Sequence, residues 1–262
     1  MSGAMQPEPL PLVFCCFTCR RDEALLPLHY AAIQLACPGA PVVYAVDEAE
    51  QDMVLPEGSR LLVTSWDRKG NLIGQQALVG ILHTLKQVAE EYNAVPVKVD
   101  SDIMLAGTAW LRSIRFKELG MVGICPGQLF CASGACYALQ RGTIEAALAY
   151  IASGFYFDAA QIRVEDETIS MLAALVNPPG RVLFYQYAYP HTVLASIFKA
   201  EHFTDATPLQ KVQAWVDCGD RKMINLPFWQ NRPKEDIKRE AMERTLEVLK
   251  KKAEQTPDLA SV

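Results

Sequence analysis

Val95-Pro96-Val97-Lys98-Val99-Asp100-Ser101-Asp102 is a short apolar run that stops on two carboxylates. An apolar run with little alternation marks a strand covered on both faces, as in a parallel sheet flanked by helices. Residues two apart at a strand end point the same way, so both aspartates can face one site. Immediately upstream, Ala77, Leu78, Ile81, Leu82, Leu85, Val88, Ala89 and Tyr92 recur at helical spacing and form one apolar stripe. Further back stand an apolar strand at Leu12–Phe17, a helical pattern at 23–36 stopped by Cys37-Pro38-Gly39, and strands at 41–46 and 60–64. Strand–helix–strand–strand–helix–strand predicts a mainly parallel sheet with helices on its faces. Ligands of such sheets bind at the carboxyl ends of the strands. The polar residues there are Thr18, Arg20, Asp47, the segment 67–71, and Asp100 with Asp102.

Downstream of Asp102 the pattern is less regular. Segments 121–124, 135–139 and 181–187 read as strands, and 143–152 and 165–176 as helices. From Pro233 a charged amphipathic helix begins. Ile237, Ala241, Met242, Val248 and Leu249 share its apolar face, Glu235 and Asp236 lie in its first turn and Lys250–Lys252 in its last, charges that complement the helix dipole. The expected organisation is a flexible N-terminus over 1–10, a single α/β domain over 11–230, and a C-terminal charged helix and tail over 231–262.

Composition limits what such a domain does. The 262 residues are 50% hydrophobic and 21% charged, which excludes a disordered chain and fits one globular unit. A net charge of −5 provides no broadly basic surface, so nucleic acid is not an expected partner. No run of about 18 apolar residues predicts a transmembrane helix. The N-terminal apolar stretch lacks a basic flank and is interrupted by proline, so it reads as a strand and not as a signal peptide. With no secretory signal, the eight cysteines read as reduced thiols and the expected location is cytoplasmic.

Two carboxylates two residues apart are hard oxygen donors, suited to magnesium or manganese held together with a diphosphate. The alternative is two solvated loop aspartates. Lys98-Val99-Asp100-Ser101-Asp102, ending the fourth strand, resembles the metal-binding Asp-x-Asp of glycosyltransferases of the nucleotide-diphospho-sugar transferase (GT-A) superfamily. Trp66-Asp67-Arg68-Lys69-Gly70-Asn71-Leu72 is similar to the loop that passes under the sugar-nucleotide in that superfamily. Arg163-Val164-Glu165-Asp166-Glu167, opening a helix, is similar to the acidic motif holding the catalytic base of inverting members. The resemblance spans roughly residues 12–199 and implies a GT-A-like (Rossmann-like) mixed sheet, mainly parallel and flanked by helices.

Residue by residue, the resemblance implies the following roles. Phe17, Thr18 and Arg20 would border the nucleoside and its phosphates, and Asp47 would meet the base or ribose. Arg68 and Asn71 would contact the nucleotide or donor sugar. Asp100 would lie near ribose and metal, and Asp102 would be the direct ligand of Mn2+ or Mg2+, while Lys98 would brace the turn. Asp166 would be the base, with Glu165 as second candidate, although three acidic residues at a helix start also serve the helix dipole. A third metal ligand would be a histidine of the C-terminal half, His191 first and His202 second. The loop 133–137 would shape the acceptor side or form a plain turn.

The function so implied is a metal-dependent glycosyltransferase, transferring a hexosyl or related group from a UDP- or GDP-sugar to an acceptor hydroxyl. The alternative is a non-catalytic GT-A-like nucleotide-binding or scaffold protein. No G-x-G-x-x-G follows any strand, which disfavours a dinucleotide oxidoreductase. Cys16 and Cys19 have the spacing of a thiolate pair, and Cys131 with Cys136 would complete a zinc site. The second spacing is looser and Cys16 lies in an apolar strand, so packed thiols are the expectation.

Overall fold

The computed structural model describes residues 8–66, 75–105, 107–125, 132, 136–154, 165–186, 200–202 and 234–255. Its centre is a seven-stranded sheet, in the order β3-β2-β1-β4-β7-β6-β8. The strands are β1 (Leu12–Phe17), β2 (Val42–Asp47), β3 (Arg60–Thr64), β4 (Val95–Asp100), β6 (Met121–Cys125), β7 (Cys136–Leu139) and β8 (Val182–Gln186). β5 (Ile103–Leu105) and β9 (Ala200–His202) form a separate antiparallel pair. In the large sheet β7 alone runs against the other strands, pairing antiparallel with both β4 and β6. The chain is therefore α/β with a mixed, mainly parallel sheet.

The uninterrupted apolar strands are explained by two cores. Phe14, Cys16, Val42, Tyr44, Val97 and Val99 face one side, where α1 (Leu26–Ala36) covers them with Leu26 and Ile33. Val13, Cys15, Val43 and Ala45 face the other, against α2 (Gln75–Tyr92), α4 (Arg141–Ala152) and α5 (Glu165–Val176). Alternate residues enter opposite cores, so a strand between two helical layers can have no polar face. A third cluster joins α6 (Lys234–Gln255) to α1. Met242, Leu246 and Leu249 pack with Leu25, Ala32 and Met104, the last of these in β5.

The predicted helix over 23–36 is in fact two elements, a 3-10 turn at Arg20–Leu25 and α1 from Leu26. Pro27 accounts for the boundary, because proline lacks an N–H and clashes inside a helix but is tolerated in its first turn. Of the remaining expected elements, α2, α5, β1 and β3 fall where the patterns place them. A short helix, α3 (Arg112–Arg115), the pair β5/β9 and the direction of β7 were not expected.

Connectivity determines where a ligand can sit. From β1 the chain moves outward through α1 to β2 and on to β3, then crosses back through α2 to β4 on the other side of β1. The carboxyl ends of β1 and β4 thus flank the point where winding reverses. In open α/β sheets that point is a crevice, because the two connections leave in opposite directions. The pairs Cys16↔Val99 and Phe17↔Asp100 hold the two strand ends level.

Candidate functional site: the strand ends of β1 and β4

Asp100 is the last residue of β4, and Ser101 and Asp102 form the turn into β5. Ser101 and Asp102 are buried, Asp102 at 8% exposure, while Asp100 is partly open. Lys98 and Asp100 project to the same face of β4, as residues two apart must. Lys98 Nζ donates to Asp100 Oδ1 at 2.5 Å. It also stands 3.9 Å from Glu165 Oε1 at the start of α5, and 5.7 Å from the centre of the Tyr137 ring. Lys98 is almost completely buried, at 3% exposure.

Burial alone would lower the Lys98 pKa, but the charges of Asp100 and then Glu165 outweigh it and hold the ammonium above its usual range. Glu165 is shifted up, chiefly by burial and against the pull of Lys98, with Asp166 and Asp100 adding to the rise. The three side chains form one cluster, buried at Lys98 and Glu165 and partly open at Asp100, in which a single cation serves two carboxylates. A lone buried charge would be prohibitive, and pairing makes it tolerable.

Asp166 is half-buried, and its Oδ1 accepts the Glu167 N–H at 2.9 Å. Its main-chain carbonyl accepts from Ser170 Oγ at 2.7 Å, and that hydroxyl accepts from the Ala132 N–H at 2.9 Å. The acidic start of α5 therefore divides its labour. Glu165 faces Lys98 and Asp100, and Asp166 satisfies a helix-end amide of α5.

The other expected residues are spread along this edge in strand order. Thr18, buried, follows β1 and donates its backbone N–H to the Ala45 carbonyl at 3.1 Å. Phe17 tilts against Trp66 with ring centres 6.0 Å apart. Asp47 ends β2 and opens a 3-10 turn at Glu48–Glu50 without a side-chain hydrogen bond to it. Arg20 belongs to an exposed ion network: its guanidinium meets Glu23 at 3.5 Å and pairs with Asp52, and its N–H donates to Glu50 Oε1 at 3.0 Å. Its charge is thus already countered by local acids.

Arg68, Asn71 and His191 lie outside the described residues, as do residues 126–131 and 133–135 of the loop after β6. His202 is the last residue of β9 and pairs in register with Ile103, next to Asp102. Among the described residues, no group of three or more His, Cys, Asp or Glu side chains is arranged to hold a metal ion. Cys16 and Cys136 are both level with Val99, on opposite sides of β4. Two strand spacings put their backbones roughly 10 Å apart, too far for sulfurs to share one zinc. Burial raises both thiols well above their ordinary pKa, so they are packed neutral groups.

Two buried polar residues near this edge carried no clear sequence signal. Asp22, in the 3-10 turn after β1, accepts the Ser101 hydroxyl proton at 2.7 Å. His29, in α1, is fully buried with Nδ1 3.1 Å from the Tyr44 hydroxyl, which in turn donates to the Leu26 carbonyl at 3.3 Å. Asp22 belongs to a polar break and His29 to a helical pattern, and only the fold brings the first to Ser101.

A cavity of about 620 Å³ lies at the opposite edge of the sheet, between the end of α2 and the starts of β6 and α4. Several of its polar groups are already paired: Asn177 with Thr143, and Arg181 with the Lys117 and Glu118 carbonyls. No helix of the described residues is long and apolar enough to cross a membrane. Neither the known protein-family models nor the curated proteins include a match to this chain.

Proposed function

We propose that this chain is a metal-dependent glycosyltransferase that moves a sugar from a UDP- or GDP-sugar to an acceptor hydroxyl, on a GT-A-like sheet. The observation that carries the reading is the position of Asp100-Ser101-Asp102. The turn closes β4 at the reversal of winding, level with the end of β1 and beside an acidic helix start. A site of this kind needs hard oxygen donors where a diphosphate can lie, and the turn supplies them.

By their chemistry, the two carboxylates of the turn suit a cation that arrives with phosphate. Asp102 is the carboxylate proposed to hold Mn2+ or Mg2+, with Asp100, which pairs with Lys98, contributing from the second position. Magnesium characteristically binds through one or two carboxylates and completes its shell with water and phosphate oxygens. When bound, the ion would neutralise the charge that develops on the diphosphate leaving group. The chain's own residues do the rest. Phe17 and Thr18 border the nucleoside, Asp47 offers an acceptor to base or ribose, and the resemblance assigns contact with the nucleotide or donor sugar to Arg68 and Asn71. Asp166, the more open of the two acidic candidates, takes the proton of the acceptor hydroxyl. Glu165 stays committed to Lys98.

One observation favours the second reading, a nucleotide-binding or scaffold protein without transfer activity. The buried ammonium of Lys98 neutralises part of the acidic charge that a catalytic cation would need. Calorimetry with UDP and GDP, each with and without Mn2+, separates the two. The glycosyltransferase reading expects nucleotide binding that depends on manganese in the wild type and is lost in Asp102→Asn at unchanged melting temperature. Manganese-independent binding, or an Asp102→Asn protein that binds as the wild type does, supports the second reading; absence of any nucleotide binding overturns the first.

A further inference from the structure

Ser101 sits between the two aspartates, and its hydroxyl does not reach solvent. It donates instead to Asp22 Oδ2 at 2.7 Å, joining the β4–β5 turn to the segment after β1. The residues are 79 apart in sequence, and both are buried. Asp22 has other contacts: Cys19 Sγ donates to the same oxygen at 4.0 Å, Arg21 Nε lies 3.6 Å from Oδ1, and the Asp22 N–H donates to the Cys19 carbonyl at 2.9 Å. Of these, Ser101 is the contact outside its own turn.

We infer that Asp22 is a positioning residue for the Asp100-Ser101-Asp102 turn, acting through the Ser101 hydroxyl; this rests on the metal-dependent reading above. A buried carboxylate carries a desolvation cost that filling the space does not require. An apolar or amide side chain would fill the same space without that cost. What the carboxylate adds is a strong acceptor, because a hydrogen bond to a charged group is about twice as strong as a neutral one. It fixes the residue between the two proposed ligands. Outer partners of metal ligands commonly have this task, and their loss lowers metal affinity by about 10–100-fold.

The surrounding packing makes the link stiff. Leu25, three residues after Asp22, and Met104, two after Asp102, both pack under Met242, Leu246 and Leu249 of α6. The two segments joined by the hydrogen bond are therefore clamped by the same helix. A strong bond between clamped segments passes displacement of one to the other, so Asp22 sets where the turn lies.

The test compares Asp22→Ala, Ser101→Ala, the double variant and Asp22→Asn in the full chain. Each is assayed by calorimetry with UDP and with GDP, in Mn2+ and in its absence, and by thermal melting. Asp22→Ala and Ser101→Ala should each weaken manganese-dependent nucleotide binding about 10-fold or more, while metal-free binding stays constant. The double variant should be no weaker than the worse single one. Asp22→Asn, whose neutral amide oxygen still accepts from Ser101 but more weakly than a carboxylate, should fall between Asp22→Ala and the wild type. Folded single variants with unchanged manganese-dependent affinity, additive losses, or an Asp22→Asn protein as weak as Asp22→Ala would overturn the inference and leave the metal-dependent reading intact. A wild type that shows no manganese dependence would remove both.

Discussion

Lys98 stands where a strand between two helical layers calls for an apolar side chain, and that exception is the key to the local chemistry. Its ammonium links the end of β4 to the start of α5, so two acidic motifs far apart in sequence become one electrostatic unit. His29 is a second exception, on the opposite face. Burial pushes its pKa down to about 4 from the ordinary 6.5, with the charge of Asp102 opposing the fall. Above pH 6.5 the imidazole is neutral in both folded and unfolded chains and stability does not depend on it. Between pH 6.5 and 4 the unfolded chain takes up a proton that the folded chain refuses, so stability falls as pH falls. The full loss, reached below pH 4, is about 3 kcal/mol. Urea unfolding between pH 7.5 and 4 should therefore show a steeper decline for the wild type than for His29→Gln. Parallel curves would assign the acid sensitivity to carboxylates instead.

At the level of elements, legibility followed the strength of the local pattern. α2 could be read because Leu78, Ile81, Leu82, Leu85 and Val88 repeat over about three turns on one buried face. β1 and β4 could be read because both their faces are covered. Periodicity carries no direction, so nothing in Cys136–Leu139 announced that β7 runs against its neighbours. β5 and β9 have three residues each, too short for a period. The Asp-x-Asp turn was legible as a pattern and a position, but its partners Asp22 and Glu165 are fixed by tertiary contact alone. A close approach of the same origin occurs at Gly80. A Cβ there would overlap the ring of Trp66, whose indole N–H donates to Thr84 Oγ1 at 3.4 Å and which packs against Phe17. Alanine normally favours a helix over glycine by roughly 1 kcal/mol. At Gly80 it should instead destabilise by about 1–3 kcal/mol, the range for overpacking. Gly142, in the first turn of α4, has nothing near a built Cβ, so Gly142→Ala should stabilise or leave the fold unchanged. Opposite shifts in urea midpoint are expected, and a stabilised Gly80→Ala would show that Trp66 yields freely.

At the scale of the molecule, three apolar clusters among the described residues divide the work, and the smallest ties distant parts of the sequence together. The two large clusters line opposite faces of the sheet and would exist without the C-terminal helix. The third exists because α6 returns to α1 and β5, so segments near the beginning, middle and end of the sequence share one contact. A helix this charged owes little of its position to its outer face, where Arg239 and Glu243 form an exposed pair at 3.7 Å. Such pairs contribute about 0.2–1 kcal/mol. Its hold lies in Met242, fully buried against Leu25, Ala32 and Met104. Met242→Ala should therefore destabilise by about 2–5 kcal/mol, as large-to-small changes in closed cores do. Glu243→Ala, one residue on but exposed, should stay within about 0.5 kcal/mol of the wild type. Amide exchange should locate the effect. Global loss appears as faster exchange everywhere, whereas local undocking is confined to α6, the 3-10 turn at Arg20–Leu25 and β5, the segments that flank Asp22 and Asp102. A Met242→Ala protein as stable as wild type, with unchanged exchange in these segments, would mean that α6 does not brace them.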